Sequence, residues 1–261
     1  MKINRKALGL CAALIVVIGF FYVFWLSPRY EAPILMYHRF GYGEGSLFVT
    51  PENFERQMSY LKRRNYNVVS LRELVERIRV HEGFAPRTVA ITIDDGYRDN
   101  YTYAYMALKK NNFPATIFLA VNSVGNDKDF ITWAEARDLL KDNIALGSHT
   151  RNHAYLPSIT SDAVLADEIA GSKKIIEKNT GVPAPHLCYP TGGFTEKVKH
   201  MAREAGYEAA FTTNRGMRGS YQDLYELKRI KVTNSDTNKP LSFWAKLSGY
   251  YNIFRSQRSG Y

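Results

Sequence analysis

The chain has 261 residues, a net charge of +10, 45% apolar and 23% charged residues. That composition suits a folded domain with a sizeable core and excludes a disordered or fibrous chain. The two cysteines, Cys11 and Cys188, lie far apart in sequence, one inside an apolar run, so no disulfide framework is expected.

Ala7 to Leu26 is apolar and uncharged, about the ~20 residues that cross a bilayer. Lys2, Arg5 and Lys6 precede it, so the positive-inside rule keeps residues 1–6 cytoplasmic and puts the rest outside. No small-x-small cleavage site follows Leu26, which favours an uncleaved signal anchor over a signal peptide. The expected location is the cell membrane, as a single-pass protein with its catalytic domain on the periplasmic or extracellular side. Setting aside the three N-terminal cations leaves +7, which suits an anionic membrane surface or cell-wall polymer. No nucleic-acid-binding motif accompanies this charge, so nucleic acid is not an expected partner.

Residues 27–33, with Pro28 and Pro33, form a linker. Ile34 to Tyr37 reads as a strand ending at His38, and Gly41 to Gly45 as a glycine-rich loop. Thr50-Pro51-Glu52 starts a helix that runs to about Arg64. Asn67–Ser70 reads as a strand, Leu71–Val80 as a helix and Thr88–Ile93 as a buried strand. Helix Tyr101–Asn111, strand Ala115–Ala120, helix Thr132–Lys141 and strand Ile144–Ser148 follow. Next come a long helix Ser161–Asn179 capped by Gly181, strand His186–Tyr189, helix Glu196–Ala205, strand Glu208–Thr212 and strand Leu227–Val232. Strands alternating with helices imply βαβ units and a (β/α) barrel, complete or incomplete, over residues 34–232. Residues 233–261 are an aromatic, basic tail. It reads either as a terminal helix packed on the barrel or as an interfacial helix or sugar platform. Trp133 is a second candidate for stacking on sugar.

The central strand stops at Asp94-Asp95-Gly96. Two adjacent carboxylates at a buried strand end are costly unless a cation or proton partner offsets them. His149 and His153 supply two imidazoles four residues apart. One carboxylate and two imidazoles form a recurrent ligand set for a catalytic divalent metal. Asp95, His149 and His153 are the expected ligands. Asp94 is then the natural general base and His38, past another strand, a general acid toward a leaving amine. Active sites of such barrels lie at the C-terminal ends of strands, where all these residues fall.

The segments Thr92–Tyr97, His149–His153 and Cys188–Gly192 resemble the first three motifs of the polysaccharide deacetylase (NodB-type) carbohydrate esterases, over roughly Pro33–Val232. The resemblance implies an α/β fold, a distorted (β/α)7 barrel preceded here by the one transmembrane helix. It implies Zn2+ as the metal, Asp94 as base, and removal of acetyl groups from N-acetylated sugars. It maps a backbone N–H for the oxyanion onto Thr191, with Tyr189 beside the substrate. The family's third motif usually opens with an Arg that orients the base. Cys188 stands there, and Arg229 is the candidate replacement. Most members carry the acid His near the C-terminus, whereas here Met36-Tyr37-His38 resembles the permuted poly-N-acetylglucosamine deacetylases of biofilm export systems. The resemblance thus implies a polysaccharide substrate, N-acetylglucosamine in an extracellular or cell-wall polymer, and export or synthesis machinery as a partner. Two other functions use the same residues: an O-deacetylase of an exopolysaccharide, or a catalytically idle polysaccharide-binding protein.

Overall fold

In the computed structural model, which describes residues 5–22, 30–214, 221, 223–252 and 255, the chain divides into two units, 1–31 and 32–261. The first holds α1 (Arg5–Phe21), 17 residues long. Among the described residues no helix is long and apolar enough to cross a membrane. The spanning helix expected over Ala7–Leu26 is therefore not found among the described residues. Helix is described only as far as Tyr22, and Val23–Leu26, with linker residues Ser27–Arg29, lie outside the described residues.

The second unit begins with β1 (Ile34–Tyr37), β2 (Arg39–Phe40), β3 (Phe48–Val49), α2 (Pro51–Arg63), β4 (Asn67–Val69), α3 (Leu71–Arg79) and β5 (Thr88–Ile93). It continues with α4 (Tyr105–Asn111), β6 (Ala115–Leu119), α5 (Trp133–Leu139), β7 (Ile144–Ser148), α6 (Asp162–Ala166), α7 (Ser172–Thr180) and β8 (His186–Cys188). The last elements are α8 (Glu196–Glu204), β9 (Ala209–Thr212), β10 (Leu227–Lys228), β11 (Ile230–Lys231), α9 (Asn234–Asn238) and α10 (Pro240–Leu247). Helix starts follow local chemistry. Thr50 caps α2 by accepting from the Asn53 N–H, with Pro51 in the first turn, and Thr132 and Glu135 form a reciprocal capping box on α5. The helix expected from Tyr101 opens instead with a π turn, Asn100–Ala104. A second π turn, Asp167–Gly171, joins α6 to α7 within the long helix.

The main sheet is parallel, in the order β10-β9-β8-β7-β6-β5-β1-β11. β4 pairs with Thr88–Ala90 of β5, and β6 with Thr92 and Ile93. β10 and β11 are two halves of the final strand, interrupted at Arg229. One half pairs with β9 and the other with β1, so that strand brings the sheet round into a nearly closed barrel, consistent with the (β/α)7 expectation. Alternation sorts the strand residues. Val89, Ile91, Ile93, Ile117 and Leu119 join the helices in the largest core cluster, whereas Ile34, Ala90, Phe118, Cys188 and Phe211 share another. Cys188 thus packs among the residues of alternate strand positions, fully buried.

After the barrel, α10 buries Phe243 and Leu247 and leaves Leu241 and Trp244 exposed. The Phe243 ring meets Tyr60 of α2 edge-on at 5.6 Å. Trp133 packs partly buried against the main core. Ile253, Phe254 and 256–261 lie outside the described residues.

Candidate active site

Backbone hydrogen bonds continue the strand ladders one residue past the strand ends. Asp94 N–H donates to Tyr37 O at 2.9 Å, His149 N–H to Leu119 O at 2.8 Å, and Tyr189 N–H to Phe211 O at 3.0 Å. These bonds gather the polar stops on one rim. They surround a cavity of about 490 Å³ lined by His38, Asp94, Asp95, His149, His153, Tyr189 and Thr191, with Leu47, Tyr97, Phe130 and Thr213 among the remaining wall. Seven of the eight expected site residues line it. The eighth, Arg229, touches Asp94 and is itself buried. Trp133 is not among the lining residues.

The two adjacent carboxylates diverge because Asp95 adopts a left-handed backbone, φ 76°, followed by Gly96 at φ 78°. Asp94 continues the alternation of Ala90 and Thr92. Arg229 grips it bidentately: Nη1 donates to Oδ1 at 2.6 Å and Nη2 to Oδ2 at 2.7 Å. The same guanidinium lies 2.9 Å from Cys188 Sγ and 3.1 Å from Thr92 Oγ1. Arg229, from the final strand, thus reaches Asp94 past the small Cys188 side chain. Burial alone would push the Asp94 carboxyl up; the Arg229 guanidinium overrides this and holds it well below the usual range. His38 stands next to this pair, Nε2 3.7 Å from Asp94 Oδ2. Burial lowers its pKa against the opposing pull of Asp94 and Asp95. Asn100, in the first π turn, donates to the His38 carbonyl at 2.8 Å and fixes that strand end.

Asp95 faces the imidazoles. Its Oδ1 lies 3.4 Å from His149 Nε2 and 3.3 Å from His153 Nε2. One ligand atom from each residue falls within 4.8 Å of the other two. His149 Nδ1 donates to the Cys188 carbonyl at 2.8 Å, which fixes the tautomer and leaves Nε2 as a lone-pair donor toward Asp95. Burial holds His149 below its ordinary pKa, and the Asp95 carboxylate holds His153 above its own. Asp95 Oδ1 is shielded from water yet accepts no well-aligned hydrogen bond. A buried anionic oxygen left this way, beside two imidazole nitrogens, fits a divalent cation.

Sequence reasoning missed the clamp that shapes the histidine loop. Buried Glu168, in the second π turn, accepts from the N–H groups of Arg151 and Asn152 at 3.0 and 2.9 Å, and from Asn152 Nδ2 at 2.6 Å. Arg151 in turn pairs with Asp167. Thr150, His153 and Thr191 share the left-handed φ of Asp95, a conformation that costs non-glycine residues free energy and clusters at functional sites. Gly192, at φ 87°, has the Thr213 hydroxyl where a Cβ would sit, only 2.1 Å away, so the turn carrying Thr191 requires glycine. Tyr189 is pinned by its hydroxyl, which donates to Tyr225 O at 3.0 Å.

The chain is similar to known proteins over most of its length. The family model described as polysaccharide deacetylase matches residues 81–210. "Putative polysaccharide deacetylase YxkH" of Bacillus subtilis is 33% identical over 211 residues, covering 80% of this chain and 75% of the relative. The poly-beta-1,6-N-acetyl-D-glucosamine N-deacetylase of Staphylococcus epidermidis is 28% identical over 211 residues, covering 75% and 72%. The structure of the Streptococcus pyogenes deacetylase PplD in complex with acetate superposes with a TM-score of 0.74 at 25% identity, covering 80% of this chain and 96% of that one. The chain belongs to the polysaccharide deacetylase family, a family of hydrolases. Its relatives include poly-N-acetylglucosamine N-deacetylases.

Proposed function

We propose that the protein is a metal-dependent N-deacetylase that removes acetyl groups from N-acetylglucosamine residues of an extracellular or cell-wall polysaccharide. The observation that carries this reading is the division of labour at the β5 end: Asp94 gripped by Arg229, and Asp95 Oδ1 without a well-aligned donor between two imidazoles. Asp95, His149 and His153 would hold the divalent cation, for which Zn2+ is the best match to one carboxylate and two imidazole nitrogens. When bound, such a cation polarises an acyl carbonyl and acidifies water.

The chain's own residues supply the rest. Arg229 keeps Asp94 ionised and aimed, so that it can accept the proton of the attacking water. His38, in its protonated state, gives a proton to the departing sugar nitrogen as the C–N bond breaks. Acetate and the amine leave, and the 3.7 Å between His38 and Asp94 provides the short route by which the proton held on Asp94 returns to His38. Thr191 offers its main-chain N–H to the developing oxyanion, and Tyr189 forms the wall beside it.

The anchor reading for residues 7–26 and the outward-facing location rest on the apolar run and its basic flank alone, as does a role beside export or synthesis machinery on the family resemblance. The test is acetate release from N-acetylglucosamine oligomers and from an O-acetylated glycan, with and without chelator, alongside metal analysis of the full chain. Chelator-sensitive release from the N-acetylated oligomer is expected. Release only from the O-acetylated glycan, or none from either, overturns the reading.

A further inference from the structure

Arg39 directly follows His38 in sequence but is not among the residues that line the cavity of about 490 Å³. Two stretches of chain that do line it, at Leu47 and at Tyr97 with Phe130, both rest on Arg39. At the first, the Arg39 N–H donates to Leu47 O at 3.2 Å, and the guanidinium carbon lies 5.1 Å from the centre of the Phe48 ring. The glycine loop before Leu47 folds onto that ring so closely that a Cβ at Gly43 would come within 2.5 Å of it. At the second, the same guanidinium carbon lies 4.0 Å from the centre of the Tyr97 ring, which meets the Phe130 ring at 4.6 Å. Nε donates to Asp99 Oδ2 at 2.7 Å. One side chain thus joins the β2–β3 loop to the turn after β5. A planar guanidinium can lie against aromatic rings and donate from its edge at the same time, a role that the compact ammonium of lysine does not fill. A separate brace serves His38. Asn100 Nδ2 donates to the His38 carbonyl at 2.8 Å and to Asp99 Oδ1 at 2.9 Å, so the strand end that carries the imidazole is held without Arg39.

Resting on the deacetylase reading, we propose that Arg39 is a positioning residue for substrate binding. It fixes the gap between Leu47 and Tyr97, and with it the grip of the pocket on the N-acetylated sugar, and takes no part in proton transfer. The test compares the full-length wild type with Arg39→Gln, Arg39→Lys, Tyr97→Leu and the double variant Arg39→Gln/Tyr97→Leu. Acetate release from an N-acetylglucosamine pentamer gives KM and kcat, and calorimetry without added metal gives Kd. Arg39→Gln should raise KM and Kd about tenfold, the scale of a partly shielded cation–π contact, and leave kcat within about threefold of the wild type. Arg39→Lys keeps a positive charge for Asp99 but not the planar face, and should show most of that loss. Tyr97→Leu should weaken binding by a similar factor. The double variant should be no more than about twofold worse than the poorer single one, because both changes remove one contact. Unchanged KM and Kd in Arg39→Gln overturn the proposal. So does a fall in kcat as large as the rise in KM, wild-type binding by Arg39→Lys, or effects that multiply in the double variant. Where Arg39→Gln fails to fold, Arg39→Lys and Tyr97→Leu carry the same readouts. A wild type that binds the pentamer but releases no acetate removes the deacetylase reading, while the Kd comparison still decides the role of Arg39. A wild type that does neither overturns both.

Discussion

Asp94 and Asp95 are neighbours in sequence, yet they occupy opposite electrostatic situations. Around Asp94 every charge is answered: both oxygens meet a guanidinium, which also contacts Thr92 and Cys188. Around Asp95 the account is open, since a buried oxygen stands near two imidazoles without a well-aligned donor. On the proposed reading, the difference lets a barrel rim set a proton-accepting group beside a cation-holding one within a single dipeptide. A left-handed backbone at Asp95 provides the turn between them.

The comparison can be broken most severely at Arg229. Arg229→Met strands a buried carboxylate and should destabilise the fold by about 3–5 kcal/mol in denaturant unfolding. A loss below about 1 kcal/mol would mean that the pair is not the closed unit described. Asp94→Asn should cut acetate release by about 10²- to 10⁴-fold, the range of a lost general base, while metal content measured by atomic absorption stays at the wild-type level. Loss of metal in that variant would show the two carboxylates acting as one site. On the open side, Glu168→Ala frees the histidine loop and should weaken metal affinity about 10- to 100-fold with Asp94 untouched; competition with a chromophoric chelator measures it.

A smaller effect sharpens the contrast at the start of β8. His186 is as buried as His149, but burial, with Arg72, Lys173 and Arg79 nearby, pushes its pKa down to about 3. It stays neutral in the fold while the unfolded chain protonates near its ordinary value of about 6.5. Its contribution to stability is therefore complete above that value and lost as pH falls from about 6.5 toward about 3. The unfolding midpoint of the wild type should drop more steeply over that interval than that of His186→Gln. Parallel curves would show that His186 takes up its proton while folded.

The strands and most helices were legible because their periodicity is strong and their stops are polar. Asp94, His38, His149 and Thr191 all follow apolar runs, and that pattern alone placed them on one rim. Glu168 was not legible. It lies on the exposed-looking side of a helical repeat, and only the π turn Asp167–Gly171 swings it under the loop at Arg151 and Asn152. Nor could local spacing reveal the paired short strands Arg39–Phe40 and Phe48–Val49, whose partner lies across a glycine loop. Arg229 was reachable by a chemical question, namely which cation replaces the one absent at Cys188, but the break it makes in the final strand was not.

The interruption at Arg229 has a consequence for the life of the molecule. The final strand both seals the wall between β9 and β1 and delivers the counter-charge for Asp94. A nascent or clipped chain lacking that segment is leaky and miswired at once. Closure of the scaffold and pairing of the buried Asp94 carboxylate are therefore one event.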